Sequence, residues 1–277
     1  MSLDPRTTLI RDGRASVALE GVVPAASYVE PQTRRLAAPA AAIRRSPDAA
    51  SEQMDQLLFG ELFDVLEEAG GWAFGQARRD GYVGFVQADT LVGAEAETTH
   101  WVSALRTYAF SEPNIKSAPL GLYSMNALVA IEAREGRFAK GTGTGWFVET
   151  HLSPIGFGES DHAAVAERFL GAPYQWGGRE SLGLDCSGLV QQSLYARARA
   201  CPRDTDMQQA LGESVERSDL QRGDLIFWKG HVAILTDERA IIHANAHHMC
   251  VAREGLDEAI DRIRAAGAGE PTAFRRP

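Results

Sequence analysis

No window of this sequence holds the roughly 18 consecutive apolar residues that a membrane-spanning helix needs, so a helical spanning protein is excluded. Cysteine is scarce: Cys186, Cys201 and Cys250 are the only three in 277 residues. An odd and sparse set argues against a disulfide framework and suits a reducing compartment. Basic residues are outnumbered, 28 Lys and Arg against 37 Asp and Glu, for a formal charge of −9. That balance disfavours sequence-independent binding to nucleic acid or to an anionic membrane. The opening residues, MSLDPRTTLIRDGRASVALEG, carry charges every few positions, so no apolar core of a signal peptide can be drawn. These absences set the expectation of a cytoplasmic protein acting on something small. What remains is an ordinary globular composition, 44% hydrophobic and 23% charged. The length fits about two domains, with room for three small ones.

Texture changes along the chain. Pro24, Pro31, Pro39 and Pro47 interrupt the first 50 residues, and AAPAAAI is low in complexity. Residues 1–50 therefore read as an extended arm. Short alternating runs broken by glycine follow, LLFGELFDVLEE, GGWAFGQA and DGYVGFVQADTL, which is the spacing of small antiparallel strands. GTGTGWFVETHL repeats that texture, with Gly84 matching Gly145 and Leu91 matching Leu152, each 61 residues on. Two β-barrel-like modules, 51–95 and 96–155, account for this region. From residue 156 helices precede strands, which indicates an α+β domain over 156–277. Asp161 caps an alanine-rich helix, residues 186–200 read as a second helix, and DLIFW, HVAILT and AIIHAN read as strands.

Chemistry concentrates in that last domain. Cys186 stands in GLDCSGLV, where a turn becomes a helix, and the positive end of the helix dipole favours a thiolate there. The bland reading is a buried, inert cysteine. His231 and His243 flank a turn centred near Asp237, so a symmetric hairpin sets them directly opposite on one sheet face, Cβ atoms about 5 Å apart. Two histidines so placed suit a base and an orienting partner; the alternative is a pair of satisfied core histidines. A metal site is the rival, since His243, His247, His248 and Cys250 make H-x3-H-H-x-C, but the spacing matches no standard zinc pattern. No metal or organic cofactor is expected. PYQWGG adds a turn whose Tyr174 and Trp176 offer an apolar wall and a phenolic donor.

Taken in order, PYQWGG, LDCSGLVQQ, PRDTDMQ, RGDLIFW, GHVAIL and IIHANA resemble the NlpC/p60 family of papain-like cysteine peptidases, across about 75 residues. LLFGELFDV, GGWAF and DGYVGFV resemble the bacterial SH3-like modules preceding that domain in one branch, the γ-D-glutamyl-L-diamino acid endopeptidases. The resemblance implies an α+β fold, with a papain-like cysteine peptidase domain behind two small SH3-like β-barrel modules. It implies Cys186 as nucleophile, His231 as general base, His243 as the orienting third member and Tyr174 as an aid in polarising the carbonyl. It places Asp185, Glu61 and Tyr82 at the free amine of the substrate, with Ser187, Thr205 and Trp176 as further substrate contacts. The implied substrate is a small murein peptide, L-Ala-γ-D-Glu-diamino acid, met during cell-wall peptide recycling. A same-fold amidase or acyltransferase, and a murein-fragment sensor without activity, are the competing readings. The lysine or diaminopimelate preference and the oligomeric state stay open.

Overall fold

The computed structural model describes residues 3–277. The chain divides into two compact units, one ending at Ile155 and the other running from Gly156 to Pro277.

The first unit is built from β-strands. Leu62–Ala69 and Trp72–Ala77 form its longest hairpin, turned at Gly70 and Gly71 with φ of 59° and 81°. Both lie in the left-handed region that a two-residue hairpin turn requires and that L side chains resist. The sheet grows to seven strands, ordered Leu91–Gly93, Gln32–Leu36, Leu62–Ala69, Trp72–Ala77, Val83–Gln87, Ala40–Arg44, Gln53–Leu58. Leu36, Ile43, Leu57, Phe63 and Val86 pack into its core with no exposure. The expectation of an extended arm over residues 1–50 is thereby corrected, because residues 32–44 supply two of these strands. Pro31 and Pro39 sit just outside the strands, where a missing N–H costs no ladder bond. Read along the chain they look like interruptions; in space they are strand ends. Ile10–Arg11, Arg14–Ser16 and Ser27–Val29 make a separate three-stranded sheet.

A second sheet system follows, five strands spanning residues 106–148 beside three short ones. Its core holds Val102, Ala109, Tyr123 and Phe147, with Phe59 packed in from the preceding module. The repeat seen in sequence has a structural counterpart. Val83–Gln87 leads through the 3-10 turn Ala88–Thr90 into Leu91–Gly93, and Trp146–Val148 leads through Glu149–His151 into Leu152–Pro154.

The second unit is α+β. Its six-stranded antiparallel sheet has the order Glu213–Ser214, Ala273–Arg276, Leu225–Trp228, His231–Asp237, Ala240–Asn245, Cys250–Gly255. Helices α1 (His162–Glu167) and α2 (Cys186–Tyr195) pack against the two histidine-bearing strands, and α3 (Thr205–Gln208) packs against α2. Helix α4 (Leu256–Ala265) places Leu256, Ala259, Ile260 and Ile263 on one face, the i, i+3, i+4, i+7 stripe of a core-facing helix. That stripe buries against Ile226, Ala233, Leu235 and Ile241 of the sheet. Helix α2 is shorter than the expected 186–200; it closes at Tyr195, and Ala198 follows in the left-handed region at φ 56°. Among the described residues no helix is long and apolar enough to cross a membrane.

Candidate active site

All ten residues of α2 are buried, polar ones included. A helix can be buried on every side only if its side chains find partners. Ser193 donates to the Leu189 carbonyl at 2.7 Å, and Gln191 donates to the Tyr195 hydroxyl at 3.0 Å. Cys186 opens this helix. Backbone N–H groups of Val232 and Ser187 hydrogen-bond its sulfur, which places the sulfur against the strand residue that follows His231. Burial, with the Asp185 carboxylate adding to it, pushes the thiol up to about 12 in spite of those two N–H groups and Arg203. The expected thiolate at a helix start is therefore corrected for the resting protein. Loss of solvent outweighs a terminal dipole contribution of about 1 kcal/mol.

Asp185 is the N-cap of α2 and the centre of a buried cluster. Its Oδ1 accepts from Gly188 N at 2.8 Å, from the Ser187 hydroxyl at 3.2 Å and from Arg203 Nη1 at 3.0 Å. Its Oδ2 accepts from Gly177 N at 2.8 Å and Arg203 Nη2 at 2.6 Å. Five donors meet a group with about four lone-pair sites, so the carboxylate is saturated as a cap and ion-pair partner. Arg203 also donates to the Ser187 hydroxyl at 2.7 Å. This locks the Cys186 turn to the PRDTDMQ segment, whose Thr205 is half-buried at the first position of α3.

The histidines meet, but not in the expected register. Ile234 pairs with Ile242 and Leu235 with Ile241, and an irregularity follows before Asp237 pairs with Ala240. Continued, this register sets His243 opposite Ala233, with His231 on the diagonal rather than directly across. The turn is the two residues Glu238 and Arg239 instead of a loop centred on Asp237. A slip of two residues preserves the face, which is why the pairing survives the error. The rings lie 5.1 Å apart, with His231 Nε2 and His243 Nδ1 at 2.9 Å. Burial pulls His231 down to about 3, with the neighbouring His243 and Arg262 adding to the effect. Burial also pulls His243 down to about 4, against the opposing charge of Glu254. Both imidazoles are neutral at pH 7.

Tyr174 is half-buried, and its hydroxyl pKa is raised, first by burial and then by the nearby Cys186 sulfur and Asp185 carboxylate. It stays a neutral hydrogen-bond donor across the physiological range. The second unit therefore brings together Tyr174, Asp185, Cys186, Ser187 and Arg203 around the start of α2, beside the strand bearing His231. Trp176 is 61% exposed on the same turn. Glu61 and Tyr82 belong to the first unit and are buried there. Glu61 accepts from Arg79 Nη1 at 2.7 Å and from Leu58 N at 3.1 Å, and Tyr82 N donates to Asp80 Oδ1 at 3.0 Å.

The metal rival changes membership. His243, His248 and Glu254 bring one ligand atom each within 4.8 Å, without His247 or Cys250. Glu254 is gripped by Arg262, through Nε to Oε1 at 2.7 Å and Nη2 to Oε2 at 2.6 Å. A guanidinium on the ligand carboxylate repels a cation and already neutralises the charge that would hold one, so the donor set fits a metal poorly.

Residues 171–262 match the NlpC/P60 family. The second unit carries an NlpC/P60 domain. Residues 43–91 match the bacterial dipeptidyl-peptidase SH3 domain, whose start inside the strand Ala40–Arg44 again sets the module's beginning before residue 51. A dipeptidyl-peptidase 6 from Lysinibacillus sphaericus is 24% identical over 242 residues, 76% of this chain and 87% of that protein. A gamma-D-glutamyl-L-lysine dipeptidyl-peptidase from Bacillus subtilis is 28% identical over 186 residues. That match takes in 62% of this chain and 63% of the relative, just under two thirds of its length. In fold, the chain is similar to the crystal structure of an NlpC/P60 family protein from Bacillus cereus, with a TM-score of 0.76 at 20% identity over 88% of this chain and 99% of that one.

The NlpC/P60 match takes in Tyr174, Cys186, His231 and His243, and also three residues that the motifs did not single out. Arg203 lies inside PRDTDMQ, where a lone basic residue two before Thr205 was its only signal. Glu254 was hidden because no strand was read after AIIHAN, whereas Cys250–Gly255 is an edge strand paired to the His243 strand, and Arg262 had no visible partner without it. Once that strand is recognised, Glu254 falls diagonal to His243.

Proposed function

We propose that this protein is a cysteine peptidase that hydrolyses the γ-D-glutamyl–diamino acid bond of murein peptides bearing a free N-terminal L-alanine. The observation that carries the reading is the placement of Cys186 at the start of α2, its sulfur hydrogen-bonded by Val232 N beside His231, whose ring is bonded to His243. The names of the two curated relatives, both dipeptidyl-peptidases and one specified as acting at γ-D-glutamyl-L-lysine, support the same bond class.

The resting pair is thiol and neutral imidazole, so proton transfer accompanies attack. His231 takes the Cys186 proton as the S–C bond forms at the γ-carbonyl of D-glutamate. The Cys186 backbone N–H is one of the first-turn donors that a helix leaves without an internal carbonyl partner, and with the neutral Tyr174 hydroxyl it stabilises the oxyanion. The C–N bond then breaks and His231 returns the proton to the departing amine. Water, deprotonated by His231, hydrolyses the thioester to release L-Ala-D-Glu and the thiol. The saturated Asp185 carboxylate holds the Cys186 turn in place. Glu61 and Tyr82 enter the proposal as amine-recognition residues through the family pattern.

The test is mass-spectrometric digestion of defined tripeptides carrying lysine or diaminopimelate. Wild-type protein releases L-Ala-D-Glu, and Cys186→Ala lowers turnover by at least about 10⁴-fold. Full turnover in that variant sinks the assignment. Acetylating the alanine amine abolishes cleavage; an unchanged rate removes amine recognition and leaves a broader endopeptidase. Tyr82→Phe raises KM for the free-amine substrate and leaves kcat within about two-fold, the pattern of lost ground-state binding.

A further inference from the structure

The His231–His243 pair has a further partner behind it. His243 is fully buried, and its Nε2 lies 3.1 Å from Glu254 Oε2. Glu254 stands on the edge strand Cys250–Gly255, and Arg262, one helix away on α4, grips both its oxygens. Three separate elements thus converge on an imidazole already bonded on its other side to His231.

The direction of the hydrogen bonds follows from what each group can do. Glu254 is ionised at neutral pH: burial pushes its pKa up, but the Arg262 guanidinium more than reverses this, and the net shift is downward. An ionised carboxylate only accepts, so the facing His243 Nε2 carries the hydrogen. A neutral imidazole has one hydrogen, so His243 Nδ1 is bare and accepts. The ring facing it, His231, must then carry its hydrogen on Nε2. His231 Nδ1 is left bare, and a bare nitrogen is what the Cys186 proton needs. Without a carboxylate behind it, His243 is free to hold its hydrogen on Nδ1. It would then donate to His231 Nε2 and put the His231 hydrogen on the wrong nitrogen.

We propose that Glu254, fixed by Arg262, is a positioning residue that sets the tautomer of His243 and through it leaves His231 Nδ1 free as the base. This deepens the peptidase reading and rests on it for its consequence in turnover, though not for the tautomers themselves. The charged and titratable groups around the pair are Glu254 on the edge strand, Arg262 on α4, the neutral Cys186 thiol at the start of α2 beside Val232, and His248 in the loop before the edge strand, with His247 stacked edge-on at 4.7 Å from His248. Of these only Glu254 favours the imidazolium that forms during proton transfer.

The experiment compares wild-type protein with Glu254→Gln, which keeps size and hydrogen bonding but lets an N–H face His243. Kinetics on the free-amine tripeptide are expected to show kcat lower by about 10- to 100-fold with KM unchanged within about two-fold, as for groups that orient another residue. The acid limb of kcat/KM moves to lower pH, because the charge that favoured the imidazolium is gone. A loss of stability alone would not move that limb. Two-bond ¹H–¹⁵N spectra of histidine-labelled protein read the tautomers directly, without substrate. Wild type is expected to show Nε2–H on both His231 and His243, and the variant a population of Nδ1–H on His243. A wild-type His243 carrying its hydrogen on Nδ1, or a variant unchanged in kcat and tautomer, overturns the proposal. Wild-type protein with the expected tautomers but no turnover overturns the peptidase reading and leaves the positioning role standing.

Discussion

At the start of α2 the sulfur and the imidazole are poised by burial rather than by charge. With the thiol pushed up to about 12 and His231 pulled down to about 3, neither group is ionised at neutral pH. A free thiol near 8.5 is already a few per cent thiolate at pH 7, so Cys186 in the resting protein is the less reactive of the two. The expected outcome is that alkylation of Cys186 by iodoacetamide, followed site by site by mass spectrometry, is slower at pH 7 than that of the half-buried Cys250. Its rate climbs through pH 9 without a plateau. An inflection below pH 7 would show a preformed thiolate–imidazolium pair and reverse this account. The chemistry then depends on substrate arrival: proton transfer to His231 happens while the S–C bond forms, and the charge created is met by Glu254 behind His243. This is also why Arg262 matters at a distance, since its guanidinium opposes the burial that pushes the Glu254 pKa up.

Among the elements, α2 is the one whose placement the site tolerates least. Gly188, in its first turn, approaches the Gly178 carbonyl so closely that an added Cβ would sit 2.2 Å from that oxygen. Neither backbone can give way cheaply, because Asp185 accepts from Gly188 N and Gly177 N together. Gly188→Ala is expected to cost about 1–3 kcal/mol in urea unfolding, as overpacking does. It should also lower kcat through displacement of Cys186; a variant of wild-type stability and activity would show that the contact is slack. How far the elements could be read from sequence follows the strength of their local signals. The strands bearing His231 and His243 were legible because a short apolar run bounded by turn residues is a strong signal. The shared face of the histidines was legible because the side-chain period is two. Their exact opposition was not, since the irregularity before Asp237 is set by tertiary fit and leaves no mark in composition. The edge strand Cys250–Gly255 escaped because its residues, CVAREG, show only partial burial and little alternation. With it went Glu254. Residues 32–44 escaped for a different reason: prolines at strand ends and a run of alanines look like disorder until neighbouring strands cover them.

Among the described residues the apolar side chains form separate cores, including one around Phe63 and Val86, one around Tyr123 and Phe147, and one beneath α4. The first two of these, with a further cluster around Phe74 and Phe85, belong to the unit that ends at Ile155, and the one beneath α4 to the unit that begins at Gly156. Between the strand ending at Pro154 and the helix starting at His162 there is neither strand nor helix. Ile155 is 50% exposed and Phe157 69% exposed in that stretch. Proteases cut where the backbone can be drawn into an extended strand without breaking a ladder or a helix, and boundaries between compact units meet that condition. Ile155 N donates to the Thr99 carbonyl at 2.9 Å and Glu159 N to the Ala196 carbonyl at 2.7 Å, so the stretch is anchored within each unit, with Phe157 between the two anchors and in no strand or helix. Two other exposed aromatics compete for chymotrypsin, and both lie inside a unit. Tyr108 lies within the strand Arg106–Phe110, paired on both sides of its sheet. Trp176 is flanked by Gln175 N on the Leu184 carbonyl and Gly177 N on Asp185. Brief digestion at low chymotrypsin is therefore expected to cut first after Phe157, giving two fragments identified by their masses, with Tyr174, Cys186, His231, His243 and Glu254 all on the C-terminal one. A first cut after Tyr108 or Trp176 would mean that those segments open more readily than the stretch between the units, and would place the weakest point of the chain inside a unit instead.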